Sequence, residues 1–176
     1  MIYLCLSGFH GSRGEHWLAQ FIKDTPNAVE VQQKDWEHPD RTLWTEALKR
    51  DLLKYQKEEI ILVAHSMGAV TIAALFEQEH VPTGQIKGVL LVAPADSEQT
   101  GFPIDITGFN PMPTAQLPFR SMLISSENDH YMTLERAQYF GEKWGSAIIN
   151  YGKVGHITTD SGFGKWEELP TLLDQL

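Results

Sequence analysis

Apolar residues along this chain fall into two alternating textures. Short runs rich in Ile, Val and Leu stand at about 2–7, 28–33, 59–64, 86–93, 119–125 and 146–151, bounded by polar, Gly or Pro residues. Between them, at about 15–23, 41–56, 67–79 and 131–144, apolar residues recur every three or four positions, and a last segment of this kind lies near 165–175. The first texture predicts strands and the second amphipathic helices. Their alternation predicts a three-layer α/β architecture: a sheet of about six mostly parallel strands with helices on both faces. The runs Ile60 to Ala64 and Gly88 to Ala93 are almost wholly apolar, as central strands are. Right-handed crossovers then give the strand order 2-1-3-4-5-6.

One connection resists this reading. Residues 94–118 show no clear period and hold Pro94, Pro103, Pro111, Pro113 and Pro118 together with Gly101 and Gly108. A long irregular connection in a small domain is usually functional. This one is long enough for a small cover over a site and too short for a second domain. With 176 residues, the whole chain reads as one domain, 1–176.

Composition narrows the partners. Hydrophobic residues make up 42% and charged residues 21%, and the formal net charge is −9. A surplus of carboxylates argues against nucleic acid and anionic membrane surfaces as partners. It is indifferent to a small neutral substrate. The single cysteine, Cys5, excludes an internal disulfide and suits a reducing compartment. Its place inside the apolar run at 2–6 marks it as a small buried residue. No basic segment followed by a long apolar one opens the chain, and no stretch is long enough to span a bilayer. The expected location is the cytoplasm. Nothing in the pattern sets an oligomeric state.

The candidate chemistry lies where the third strand ends. Ala64-His65-Ser66-Met67-Gly68 places a serine between small residues, after an apolar strand and immediately before a helix. This is the strand–elbow–helix setting of a nucleophilic serine on an α/β-hydrolase sheet, with Ala64 in place of the usual first glycine. Small neighbours let the turn close and hold the Ser66 hydroxyl at the carboxyl end of the strand. The same turn aims the Met67 backbone N–H at a developing oxyanion. The plainer alternative makes Ser66 a helix N-cap in an ordinary strand-to-helix turn. The first loop, Ser7 to Gly14, spaces its glycines by three, which matches neither a dinucleotide fingerprint nor a P-loop.

A serine hydroxyl needs a base, and the base an orienting acid. On this architecture they follow in the chain order serine, acid, histidine. His156 is the one histidine beyond the last predicted strand and sits in the glycine-containing loop Gly152 to Ile157. His130 lies on the wrong loop. His65 adjoins the serine and cannot turn to face it as a base. For the acid, Asp129 lies on the loop after the fifth strand, with Glu127 close by. Asp96, after the fourth strand, is an alternative. Asp129 is preferred because it opens the next helix on the expected loop, where it could also act as an N-cap. Asp160 reads as a loop-shaping residue. The second oxyanion donor should come from the first loop, and the backbone N–H of Phe9 is the candidate.

Taken together, these motifs make the chain similar to the small RBBP9/YdeN-like serine hydrolases, a compact branch of the α/β-hydrolase superfamily. The resemblance rests on Gly11-Ser12 with Glu15-His16-Trp17, on Asp35-Trp36, on the elbow, on Ser126-Glu127-Asn128-Asp129, and on Gly155-His156-Ile157 followed by Ser161-Gly162-Phe163-Gly164-Lys165-Trp166. It implies a triad of Ser66, Asp129 and His156 and a sheet lacking the first strands of larger hydrolases. The L-x-C-x-E motif associated with retinoblastoma binding in the vertebrate relative does not occur here. Trp17, Trp36 and Trp166 read first as packing residues.

The resulting expectation is a serine hydrolase acting on small carboxylic esters or related acyl substrates through an acyl-enzyme. It needs no metal or organic cofactor, and its partner is a small-molecule acyl substrate. The rival is a non-catalytic binding or regulatory protein on a hydrolase scaffold. A complete set of serine, acid and histidine speaks against that rival.

Overall fold

A computed structural model describes residues 1–176. Six parallel strands form one sheet in the order β2-β1-β3-β4-β5-β6: β1 Ile2–Leu6, β2 Ala28–Glu30, β3 Ile60–His65, β4 Ile86–Val92, β5 Ser121–Ser125 and β6 Ala147–Asn150. The helices are α1 Trp17–Asp24, α2 Arg41–Lys54, α3 Met67–Gln78, α4 Leu134–Trp144 and α5 Leu169–Leu173. The order is the one the alternating pattern predicts. No helix is long and apolar enough to cross a membrane.

Strand periodicity sorts the interior into two cores. Leu4, Leu6, Leu62, Ala64, Val89, Leu91 and Leu123 face one side, packing with α2, α3 and α4. Cys5, Ile61, Val63, Leu90, Val92, Met122 and Ile124 face the other, packing with α1 and α5. Because both faces are covered, β3 and β5 are buried along their whole length, while the edge strands β2 and β6 are not. Cys5 is fully buried, and burial pushes its thiol pKa up.

Local chemistry sets the helix ends. Asp40 caps α2 by accepting the Leu43 N–H, and Thr133 caps α4 by accepting the Arg136 N–H. Gly145, at φ 72°, closes α4 in the left-handed conformation that a glycine adopts without steric penalty. Three boundaries differ from the sequence expectation, the first being the helix expected at about 131–144, which begins only at Leu134. The predicted second strand ends early, at Glu30, although Val31 N–H still donates to the Cys5 carbonyl. The last helix is one short segment rather than 165–175, because Pro170 belongs to its first turn and Trp166 packs sideways between Trp17, Tyr151 and Phe163.

The irregular segment 94–118 is anchored, not loose. Phe109, Met112 and Leu117 are buried in the α2–α3–α4 core, and Ser97 Oγ donates to the Phe109 carbonyl at 2.6 Å. Phe102, Pro103 and Ile106 are thereby left at the carboxyl ends of the strands.

Candidate active site

The elbow is built by steric closeness to β1. Ser66 has φ 56° and ψ −123°, a conformation that carries about 1–3 kcal/mol of strain in a residue other than glycine. A Cβ on Gly68 would stand 2.3 Å from the Leu6 carbonyl oxygen, and one on Gly8 would stand 2.7 Å from Ser66 Cβ. Both positions are glycine because the strand-to-helix turn is pressed onto β1 and its loop. Ser66 occupies the N-cap position of α3, yet its side chain makes no capping bond. Its hydroxyl meets His156 Nε2 instead, at 3.0 Å.

The other ring nitrogen, His156 Nδ1, lies 2.8 Å from Asp129 Oδ2. An ionised carboxylate only accepts, so Nδ1 carries the proton and Nε2 is free to accept from Ser66. All three residues are buried. Asp129 is oriented in turn by the Tyr131 N–H, which donates to Oδ1 at 2.8 Å. Asp129 therefore serves as no helix cap; Thr133 does. Asp96, the alternative acid, is engaged elsewhere. Arg136 clasps it through two N–H groups at 2.6 and 3.0 Å, and the pair raises the pKa of the guanidinium. Glu127 is exposed and accepts from Asn150. Asp160 stands in a 3-10 turn, Thr159–Ser161, on the cavity wall.

Side chains outside this set hold the histidine loop in place. Asn128 Oδ1 accepts the Gly155 N–H at 2.8 Å, and Ser126 Oγ accepts the Val154 N–H at 3.1 Å. The Ser126-Glu127-Asn128-Asp129 motif thus serves two purposes: its amide and hydroxyl tie the loop down, and its carboxylate meets the ring. From the opposite side, His65 Nε2–H donates to the His156 carbonyl at 2.9 Å, and Trp17 Nε1–H donates to the Ile157 carbonyl at 3.0 Å. Burial, reinforced by the nearby His156 and His16 rings, holds the His65 pKa well below its ordinary value of 6.5. A permanently neutral His65 keeps that single donor. These anchoring roles of His65 and Trp17 escape sequence reading. The adjacency of His65 to the serine hinted that it lies near the site, whereas Trp17 read as a packing residue.

The Phe9 N–H has no partner within the protein. Met67 opens α3, where a helix start leaves the N–H without an intrahelical acceptor. Both residues line a cavity of about 370 Å³ that also exposes Ser66 and His156. Its lining mixes apolar residues (Ala95, Phe102, Pro103, Ile106) with polar ones (His10, His16, His130, Tyr131, Thr158, Asp160, Ser161). No group of three or more His, Cys, Asp or Glu side chains has the arrangement of a metal site. A buried serine at a strained elbow, an imidazole poised to take its proton and unpartnered N–H groups beside it can carry out nucleophilic acyl chemistry.

Known proteins share this fold. The chain superimposes on a YdeN-like hydrolase from Pectobacterium atrosepticum with a TM-score of 0.83 and 29% identity, covering 99% of this chain and 89% of that one. The ydeN gene product of B. subtilis gives 0.70 and 17%, covering 98% and 96%. The esterase domain of a Rhodothermus marinus protein gives 0.63 and 12%, covering 92% and 80%, a likeness of fold. None of the curated proteins matches. The serine hydrolase family profile matches residues 3–175, all but the ends of the chain. The chain belongs to the serine hydrolase family.

Proposed function

We propose that this hydrolase cleaves small carboxylic esters or related acyl compounds, with Ser66 as nucleophile, His156 as base and acid, and Asp129 as the orienting carboxylate. The observation that carries the reading is the hydrogen-bonded run from Ser66 Oγ through His156 to Asp129, opening on the cavity.

Ser66 Oγ attacks the substrate carbonyl carbon while its proton passes to His156 Nε2. The carbonyl oxygen becomes an oxyanion and accepts from the Phe9 and Met67 N–H groups, both of which line the cavity. Asp129 stabilises the imidazolium and holds its tautomer. The tetrahedral intermediate then expels the alcohol, which leaves with the proton from Nε2, and an ester to Ser66 remains. Water attacks that ester, gives its proton to Nε2 and releases the acid, and Ser66 recovers its hydrogen. The cavity volume supports substrates at the small end of the range enzymes bind.

The test is labelling of the purified protein with a fluorophosphonate beside Ser66→Ala and His156→Ala. Labelling of the wild type that vanishes in both variants is the expected result. A wild type that never reacts would return the chain to the binding-protein reading.

A further inference from the structure

His16 is a buried polar side chain that the chemistry above does not use. It is 8% exposed, and its ring packs edge-on against His65 with centroids 4.8 Å apart. Its Nδ1 accepts the Leu18 N–H at 3.2 Å, forming the N-cap of α1. A nitrogen that accepts has no proton, so in the neutral ring the hydrogen sits on Nε2. Nε2 has no partner in the protein. The buried side-chain atoms left without one are Ser12 Oγ and Gln33 Oε1 alone, so His16 Nε2 is reached by solvent. The opening that reaches His16 is the active-site cavity, whose wall it forms. Burial, and then the nearness of His156, lower the ring's pKa to about 4, so it stays a neutral donor while His156 cycles through its charged form.

The cavity lining draws on residues that pack against both faces of the sheet. Phe102 and Ile106 pack against the core beneath α2, α3 and α4. His16 precedes Trp17, which is buried in the core beneath α1 and α5 and holds the Ile157 carbonyl. The chain that carries His156 runs on into Thr158, Asp160 and Ser161, which line the cavity along with His16. The leaving oxygen must lie beside His156 Nε2 to receive its proton. His16, close enough to His156 to feel its charge, offers the alcohol portion beyond that oxygen a neutral donor without a protein partner.

We infer that His16 is a specificity-determining residue whose Nε2–H binds a hydroxyl or ether oxygen on the alcohol portion of the substrate. The preferred esters thus carry an oxygen-bearing alcohol. This rests on the ester-cleaving reading above and names its substrate class.

The experiment compares glycerol monobutyrate with n-propyl butyrate, which share an acyl group and a three-carbon alcohol and differ in two hydroxyls. The variant is His16→Asn, since asparagine is itself a good N-cap but ends short of the position of Nε2. Wild type is expected to favour the glycerol ester, and the variant to lose about fivefold in kcat/KM on that ester, the worth of one neutral hydrogen bond. Its kcat/KM on the propyl ester and its fluorophosphonate labelling should stay within about twofold of wild type on the same reasoning. A ratio between the esters that is equal in both proteins, or an equal loss on both esters, overturns the role of His16 and leaves the triad standing. A wild type that labels but cleaves neither ester overturns the ester reading together with this inference. A wild type that does not label overturns the proposed nucleophile first.

Discussion

The proposed nucleophile and its base are held by different means. Ser66 is placed by backbone: a fully buried strand, a strained turn and two glycines pressed against β1 and its loop. His156 is placed by side chains of distant segments. Asn128 and Ser126 tie its loop from one side, and His65 and Trp17 from the other. The first device is written mostly in the five residues 64–68, with Gly8 and Leu6 of the first strand and loop leaving room for them. The second is assembled only when four parts of the chain meet.

Removing the nucleophile sets the scale of this contrast. Ser66→Ala should lower kcat by at least ~10³-fold in a steady-state ester assay. Ser66→Gly should be equally inactive yet about 1 kcal/mol more stable in urea unfolding, because glycine relieves the positive φ. A glycine variant less stable than wild type would show that the elbow stores no strain. Closing the elbow itself is the next largest change. Gly68→Ala places a methyl against the Leu6 carbonyl and should destabilise by about 3 kcal/mol in the same unfolding measurement.

On the base side, effects should be smaller and split differently. His65→Phe leaves the buried His156 carbonyl without its donor. We expect kcat to fall roughly 10- to 100-fold through misplacement of the ring, with KM little changed. Unchanged kcat would mean that the other anchors suffice. The least effect is on the pH dependence of stability. His65 and His16 are held neutral in the folded protein, below their ordinary value of 6.5. As pH falls below 6.5, the unfolded chain binds protons that the folded one refuses, so stability present above 6.5 is lost toward pH 4. Each histidine contributes a slope of up to about 1.4 kcal/mol per pH unit in that window. Urea midpoints from pH 7 to 4.5 should therefore fall less steeply in His65→Phe than in wild type.

The same contrast explains what could be read in advance. Strand order followed from alternation and from two apolar runs, because a parallel sheet covered on both faces leaves no other place for such runs. Asp96 and Asp129 were harder to separate, since each follows a strand and each could serve as an acid. The three-dimensional fold gives Asp96 to Arg136 and brings Asp129 to His156. His16 and His65 looked like ordinary histidines because their functional feature is which ring nitrogen is occupied, and that depends on partners: two residues along the chain for His16, and 91 for His65.

By itself, the sequence determined the elements, their order in the sheet and the elbow that presents Ser66, because these depend on periodicity and on side-chain size within a few residues. Only the tertiary structure decided which carboxylate faces the histidine, which groups steady its loop and which polar groups line the cavity. Those outcomes depend on distances between segments that chain order leaves free, and on hydrogen bonds that form only after the two cores have packed.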